Sequence, residues 1–162
     1  MGIKVTPSLR GIESFFVEVI TILNEEIQRT LAYTCEEAVE RIRDRSGAES
    51  WNDDTGNLRS SIGYAIYEYG RMKIESQFPI VKEGVEGAAK GKEYINDLAG
   101  LYSKAYAAVV VAGMDYAEHV ENMENKDVLA STHAWAKGVI DERLQRAVER
   151  AELRCQALIL SL

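Results

Sequence analysis

Thr55-Gly56-Asn57-Leu58-Arg59-Ser60-Ser61-Ile62 is the stretch that decides how this chain is built. It lies between a long helical pattern and an alternating aromatic segment, and it reads as a tight joint between helix and sheet. Asp54 or Thr55 can cap a short helical turn by accepting a backbone N–H two or three residues further on. Gly56 tolerates an unusual backbone angle or the close approach of another segment. Leu58 and Ile62 are four apart, so one helical turn places both on one face.

Upstream of the joint, Pro7 and Ser8 suit the first turn and cap of a helix. Apolar residues then recur at Leu9, Ile12, Phe16, Val19, Leu23, Ile27, Leu31, Cys35, Ala38 and Ile42, always three or four apart. That spacing predicts one helical stripe from Leu9 to Ile42, within a long helix over 8–46. The striped part is about 50 Å long at ~1.5 Å per residue. Phe15, Val17, Ile20 and Ile22 widen the stripe in its first half, which points either to one side meeting the chain's own sheet and another a partner subunit, or to a bent helix that buries the whole stripe within the monomer. Arg41, Arg43 and Arg45 sit where cations favour a helix C-terminus, and Ser46-Gly47 reads as the stop. Trp51, in an otherwise polar loop, reads as a lid on the core.

Downstream, Ile62-Gly63-Tyr64-Ala65-Ile66-Tyr67-Glu68-Tyr69 is rich in strand formers. It puts Tyr67 and Tyr69 on one face, where both look exposed. Gly70-Arg71 reads as a turn and 72–76 as a second strand, making a hairpin. Residues 81–91, with Gly84, Gly87 and Gly91, read as a mobile loop; Gly84-x-x-Gly87 lacks the strand and Lys-Ser/Thr of a phosphate loop. Residues 92–104 read as a helix, so that 81–104 looks like an insertion. Ala105 to Ala112 is the clearest strand and, being apolar on both faces, is expected at the centre of the sheet. Residues 115–122 read as a short helix or turn and 126–130 as a further strand. Ser131 or Thr132 caps a last helix over 131–160.

The fold expected is therefore α+β: one domain in which a mixed or antiparallel sheet of about four strands packs against long N-terminal and C-terminal helices. At 162 residues the chain can bury a core without disulfides or metals. The net charge of −7 argues against a general grip on nucleic acid, which needs clustered cations. Cys35 and Cys155 read as small apolar thiols in helices, not as a secreted disulfide framework. Residues 1–5 contain no apolar signal core, and no apolar run approaches the ~20 residues of a bilayer span.

Candidate chemistry is sparse. Asp115, Glu118, His119 and Glu121 form the one cluster with metal-ligand types, yet His133 is the only other histidine, and the cluster reads as a solvated helix face. No Gly-x-Ser-x-Gly elbow surrounds any serine, neither cysteine sits in a reactive-cysteine motif, and no cofactor motif is present.

Two short motifs in order, inside a helical frame, resemble the minor tail component family of tailed bacteriophages and prophages. That family shows Thr-Gly-x-Leu-x-x-Ser-Ile, a β region, Tyr-Ala-x-x-Val-Glu and a closing helix. Thr55, Gly56, Leu58, Ser61 and Ile62 match the first motif, and Tyr116, Ala117, Val120 and Glu121 the second. The chain departs from the family at 122–129, which replaces a glycine-rich turn, and in its longer 81–104 segment. The resemblance implies a non-enzymatic subunit that completes the tail or joins head to tail. Such subunits form a ring, often of six, and bind the tail tube or head connector. It implies assembly in the bacterial host cytoplasm and a final place in the virion neck or tail, with no cofactor, specific nucleic acid or membrane partner. Two alternatives stand beside it: a helical adaptor dimerising through the long helix, and an enzyme or metal binder using Asp115–Glu121. The 3-4-4-4 spacing drifts from a heptad and disfavours a lone coiled coil.

Overall fold

The joint does connect a helix to a sheet. In the computed structural model, which describes residues 9–46, 50–123 and 126–160, α1 (Leu9–Arg43) leads through α2 (Asn57–Ser60) into β1 (Ile62–Glu68). Then follow β2 (Arg71–Glu75), α3 (Val85–Asp97), β3 (Tyr106–Ala112), α4 (Ala117–Glu121) and α5 (Ala130–Leu160). The fold is mixed α+β, with one three-stranded antiparallel sheet and long helices at both ends. The expected helix start at Pro7 and Ser8 and stop at Gly47 lie outside the described residues, as do residues 1–5. Among the described residues no helix is long and apolar enough to cross a membrane.

The chain divides into two compact units, residues 1–30 with 142–162, and residues 31–141. In the first, segments of α1 and α5 are clamped by a buried carboxylate. Glu26 is 1% exposed. It accepts from the guanidinium of Arg150 at 2.9 Å, of Arg154 at 2.9 Å and of Arg29 at 3.3 Å. Arg150 also donates to Thr30 Oγ1 at 2.8 Å, and Arg154 to Glu25 at 2.7 Å. The Arg150 hydrogen bond outweighs burial and, with Arg154 and Arg29, holds the Glu26 carboxyl below its ordinary range. Its contribution to stability is therefore present above the unfolded carboxyl value of about 4.3 and lost as pH falls through the lowered folded value. Glu26→Gln is expected to destabilise this helix pair by about 2 kcal/mol, read as a lower thermal midpoint by far-UV circular dichroism.

In the second unit β1 is the central strand and the order is β2-β1-β3. The hairpin turns at Tyr69-Gly70, whose φ values of +47° and +80° match the twist-compatible two-residue turn. One sheet face packs on α3, where Ala65, Tyr67, Phe78, Ile95 and Val111 form the core. The other bears Ile62, Tyr64 and Ile66, all buried. The Tyr64 hydroxyl donates to Glu36 of α1 at 2.9 Å; burial first and that carboxylate second push its phenol well above the usual range.

Four expectations change here. The apolar strand at 106–112 lies at an edge, because β1 pairs with a strand on each side. Residues 126–130 are not a strand: they are the entry to α5, so among the described residues the sheet has three strands and not about four. Residues 81–91 are not a loop throughout; α3 begins at Val85 and ends at Asp97, and Ile95 in it is fully buried. Tyr67 is 0% exposed and hydrogen-bonds Ile95 O, because α3 covers its face, whereas Tyr69 is 63% exposed at the hairpin tip. Only Tyr69 of that pair is available to another molecule.

Candidate functional site

The two motifs turn out to be scaffold positions that settle backbone groups. Around the first, Asp53 caps α2 from outside it: its carboxylate accepts the N–H of Leu58 at 3.4 Å and of Arg59 at 2.8 Å. Thr55 Oγ1 accepts the Asn57 N–H at 3.3 Å, as expected, while Asp54 instead accepts the Asn52 side chain at 2.8 Å. Gly56 has φ +77°, and a Cβ there would lie 2.0 Å from Val81 O. Leu58 and Ile62 are fully buried. Ser61 Oγ donates to Leu58 O at 2.8 Å, closing the turn.

The glycines of 84–91 explain the packing. A Cβ at Gly84 would meet Gly56 O at 2.5 Å, and one at Gly87 would meet Asn57 O at 1.9 Å. The Asn57 side chain accepts the Gly87 N–H at 3.1 Å. The start of α3 thus lies backbone to backbone on the joint, which small residues alone permit.

Arg59, an unspecified position in the motif, does much of the fastening. Its guanidinium donates to Arg43 O, to Arg45 O at 3.2 Å and to Ser50 Oγ at 2.7 Å, and it lies 4.6 Å from the Trp51 ring centre. It is the cation on the last carbonyls of α1, the place at which a positive charge is favoured. Trp51 is buried, as a lid should be. Burial, partly offset by Asp44 and reinforced by Arg59, pushes the Arg43 guanidinium below its ordinary value.

The second motif caps α5. Glu121 accepts the N–H groups of Val128 at 2.8 Å, Leu129 at 2.7 Å and Ala130 at 3.0 Å. Asp127 Oδ1 adds Ser131 N–H at 3.2 Å. Glu121 and Asp127, not Ser131 or Thr132, are therefore the caps; those two hydroxyls accept from Arg45 at 3.0 Å each. Ala117 is buried, Val120 half-buried and Tyr116 exposed. Glu121→Gln leaves one acceptor oxygen for three donors and removes the charge at the helix start; it is expected to lower stability by about 1 kcal/mol in a denaturant melt. Gly113 N–H donates to Ser61 O at 3.1 Å, tying the end of β3 to the first motif.

Among the described residues no three His, Cys, Asp or Glu side chains are placed to hold a metal. Asp115 pairs with Lys90 at 2.9 Å, Glu121 is engaged as a cap, and Glu118 and His119 are exposed. Both cysteines are free; burial pushes the Cys35 thiol up to about 12, so it is unreactive at neutral pH. Asp53, Arg59 and Asp127 are the residues the sequence did not single out, and Arg45, expected only as a cation at the helix end, has a wider role. A basic residue just past a helix end and an acidic one just before a helix start were the signals available.

The chain matches no family model, no curated protein and no solved structure.

Proposed function

We propose that this chain is a non-enzymatic assembly subunit of a tailed phage or prophage, acting at the neck to complete the tail or join it to the head. The observation that carries an assembly role is the first part of α1. Ile12, Phe16, Val17 and Ile20 are exposed there, Phe16 at 59% and Val17 at 65%. Ile12, Phe16 and Ile20 recur every four residues and form one strip, which is the mark of a surface kept for another chain. A ring, of six subunits in the form the resemblance implies, is built from such a strip meeting a different face of the next copy.

The neck within that role rests on the order of the two motifs and on their joint work in the scaffold: Gly56 and Ser61 shape the entry to the sheet and Glu121 the entry to the closing helix. The net charge of −7 suits a ring through which DNA passes without being gripped. The partners are further copies of the chain and the tail tube or head connector. The place is the host cytoplasm during assembly and the virion neck afterwards.

The test is genetic. Deleting the reading frame from the phage or prophage that carries it is expected to leave filled heads and unjoined tails in the lysate, seen by electron microscopy. Joined, infectious particles in normal number would refute the proposal. Phe16→Glu with Ile20→Glu is expected to give a folded protein that fails to complement the deletion.

A further inference from the structure

Among the described residues the sheet ends at β3, and the phase of its hydrogen bonds shows which backbone groups face outward. Gly113 N–H donates to Ser61 O and Tyr69 N–H to Ala105 O, while the register sets Val109 against Ala65. Bonded and non-bonded pairs alternate in an antiparallel ladder. Ala107, Val109 and Val111 therefore address β1, and the N–H and C=O of Ala108, Val110 and Ala112 point away from it. The opposite edge is guarded: β2 exposes Arg71, Lys73 and Glu75 and pairs through a bulge at Ile66/Tyr67. β3 carries no charge, no proline and no bulge, the features that keep an edge from pairing.

An apolar recess lies beside β3 on each face of the sheet. On one face a cavity of about 540 Å³ is lined by Leu31, Cys35, Ala136 and Ile140 with Ala108 and Val110. On the other a largely apolar groove of about 540 Å³ is lined by Tyr94, Leu98 and Tyr102 with Val109 and Val111; Glu118 and Glu121 also line it, and it shares Val110, Leu129 and His133 with the first. A strand added at this edge sends alternate side chains into the two recesses, so it must be apolar on both faces. β3 itself meets that requirement; β1 is already paired on both sides. The composition of 106–112 suits a central strand, and one further strand would make it one.

We propose that β3 is the seat of a two-fold contact between two copies of this chain. The strands run antiparallel and centre on Val109, so that Ala108 of each copy exchanges hydrogen bonds with Val110 of the other. The contact is isologous and closes on itself; it goes beyond the neck reading, uses a different surface from the α1 strip and does not rest on that reading.

The test combines molar mass by light scattering with residue-resolved amide hydrogen exchange on the full chain, from low micromolar to submillimolar concentration. The mass is expected to rise from that of one 18.1 kDa chain towards twice that value. In step, the amides of Ala108, Val110 and Ala112 gain about tenfold protection, while Ala107, Val109 and Val111 exchange slowly throughout. Ala108→Pro removes only an outward N–H, which an edge strand tolerates; it is expected to melt near the wild-type temperature and to keep the mass of one chain. If that variant does not fold, exchange in the wild type decides alone. Outward amides whose exchange is independent of concentration overturn the proposal, whether the protein stays monomeric or associates elsewhere. So does a folded Ala108→Pro variant that dimerises as the wild type does.

Discussion

Gly87→Ala is expected to lower stability by about 3 kcal/mol, the upper range for overpacking a close contact. For a chain of this length that is a fall in Tm of about 10 °C. The added Cβ would sit 1.9 Å from Asn57 O and 2.6 Å from Asn57 C. Both are backbone atoms of the joint, so no side chain can swing aside. Either α3 lifts off α2, exposing Ile95 and Phe78, or the joint opens. Gly138→Ala is the control. Gly138 lies inside α5 and its Cβ would meet nothing within 4 Å, so alanine there is expected to stabilise by about 0.5–1 kcal/mol through the unfolded chain. Parallel thermal melts of the two variants check both statements; equal effects would show that the contact between α3 and the joint is not tight.

Arg45→Met is expected to cost about 3 kcal/mol, because it leaves a largely buried carboxylate without its cation. The Arg45 and Asp127 side chains are 10% and 19% exposed and pair directly. The same guanidinium donates to Asp127 O at 2.8 Å and to Ser131 and Thr132. Arg45, two residues past the end of α1, thus organises the start of α5. Burial pushes the Asp127 carboxyl up, but the Ser131 hydroxyl and N–H and the Arg45 guanidinium outweigh it and hold the group below its ordinary value. Its contribution is present above the unfolded aspartate value of about 3.9 and is lost as pH falls through the lower folded value. Without Arg45 the folded value rises, so Arg45→Met is expected to unfold at higher pH than the wild type in an acid titration followed by tryptophan fluorescence. Unchanged acid midpoints would show that Asp127 is held by Ser131 alone.

The long helices were legible because a three-four spacing kept over thirty residues has one physical reading. The Leu31–Ile42 part of the stripe is buried against the chain itself, and the Ile12–Ile20 part is the exposed one. The hairpin was legible from its strand formers and glycine. What the residue pattern did not disclose was coverage. Tyr67 and Tyr69 look alike in the sequence, and only the position of α3 makes one core and the other surface. The segment 81–91 looked mobile because glycine usually signals freedom; here Gly84 and Gly87 are small so that two backbones can touch. The strand at 106–112 looked central because apolar residues on both faces usually mean two neighbours, and among the described residues it has one. The caps were missed because Asp53 and Glu121 reach helix starts five to nine residues away, beyond the local spacing of a capping box.

The proposal that the chain completes or joins the tail is tested most directly by adding the purified protein to heads and tails from a lysate of the deletion strain. Sedimentation and electron microscopy then report where it goes. It is expected to co-sediment with tails or heads and to restore joined, infectious particles, and the Phe16→Glu, Ile20→Glu variant is expected to restore far fewer. Protein that stays in the supernatant while heads and tails remain apart would contradict the account.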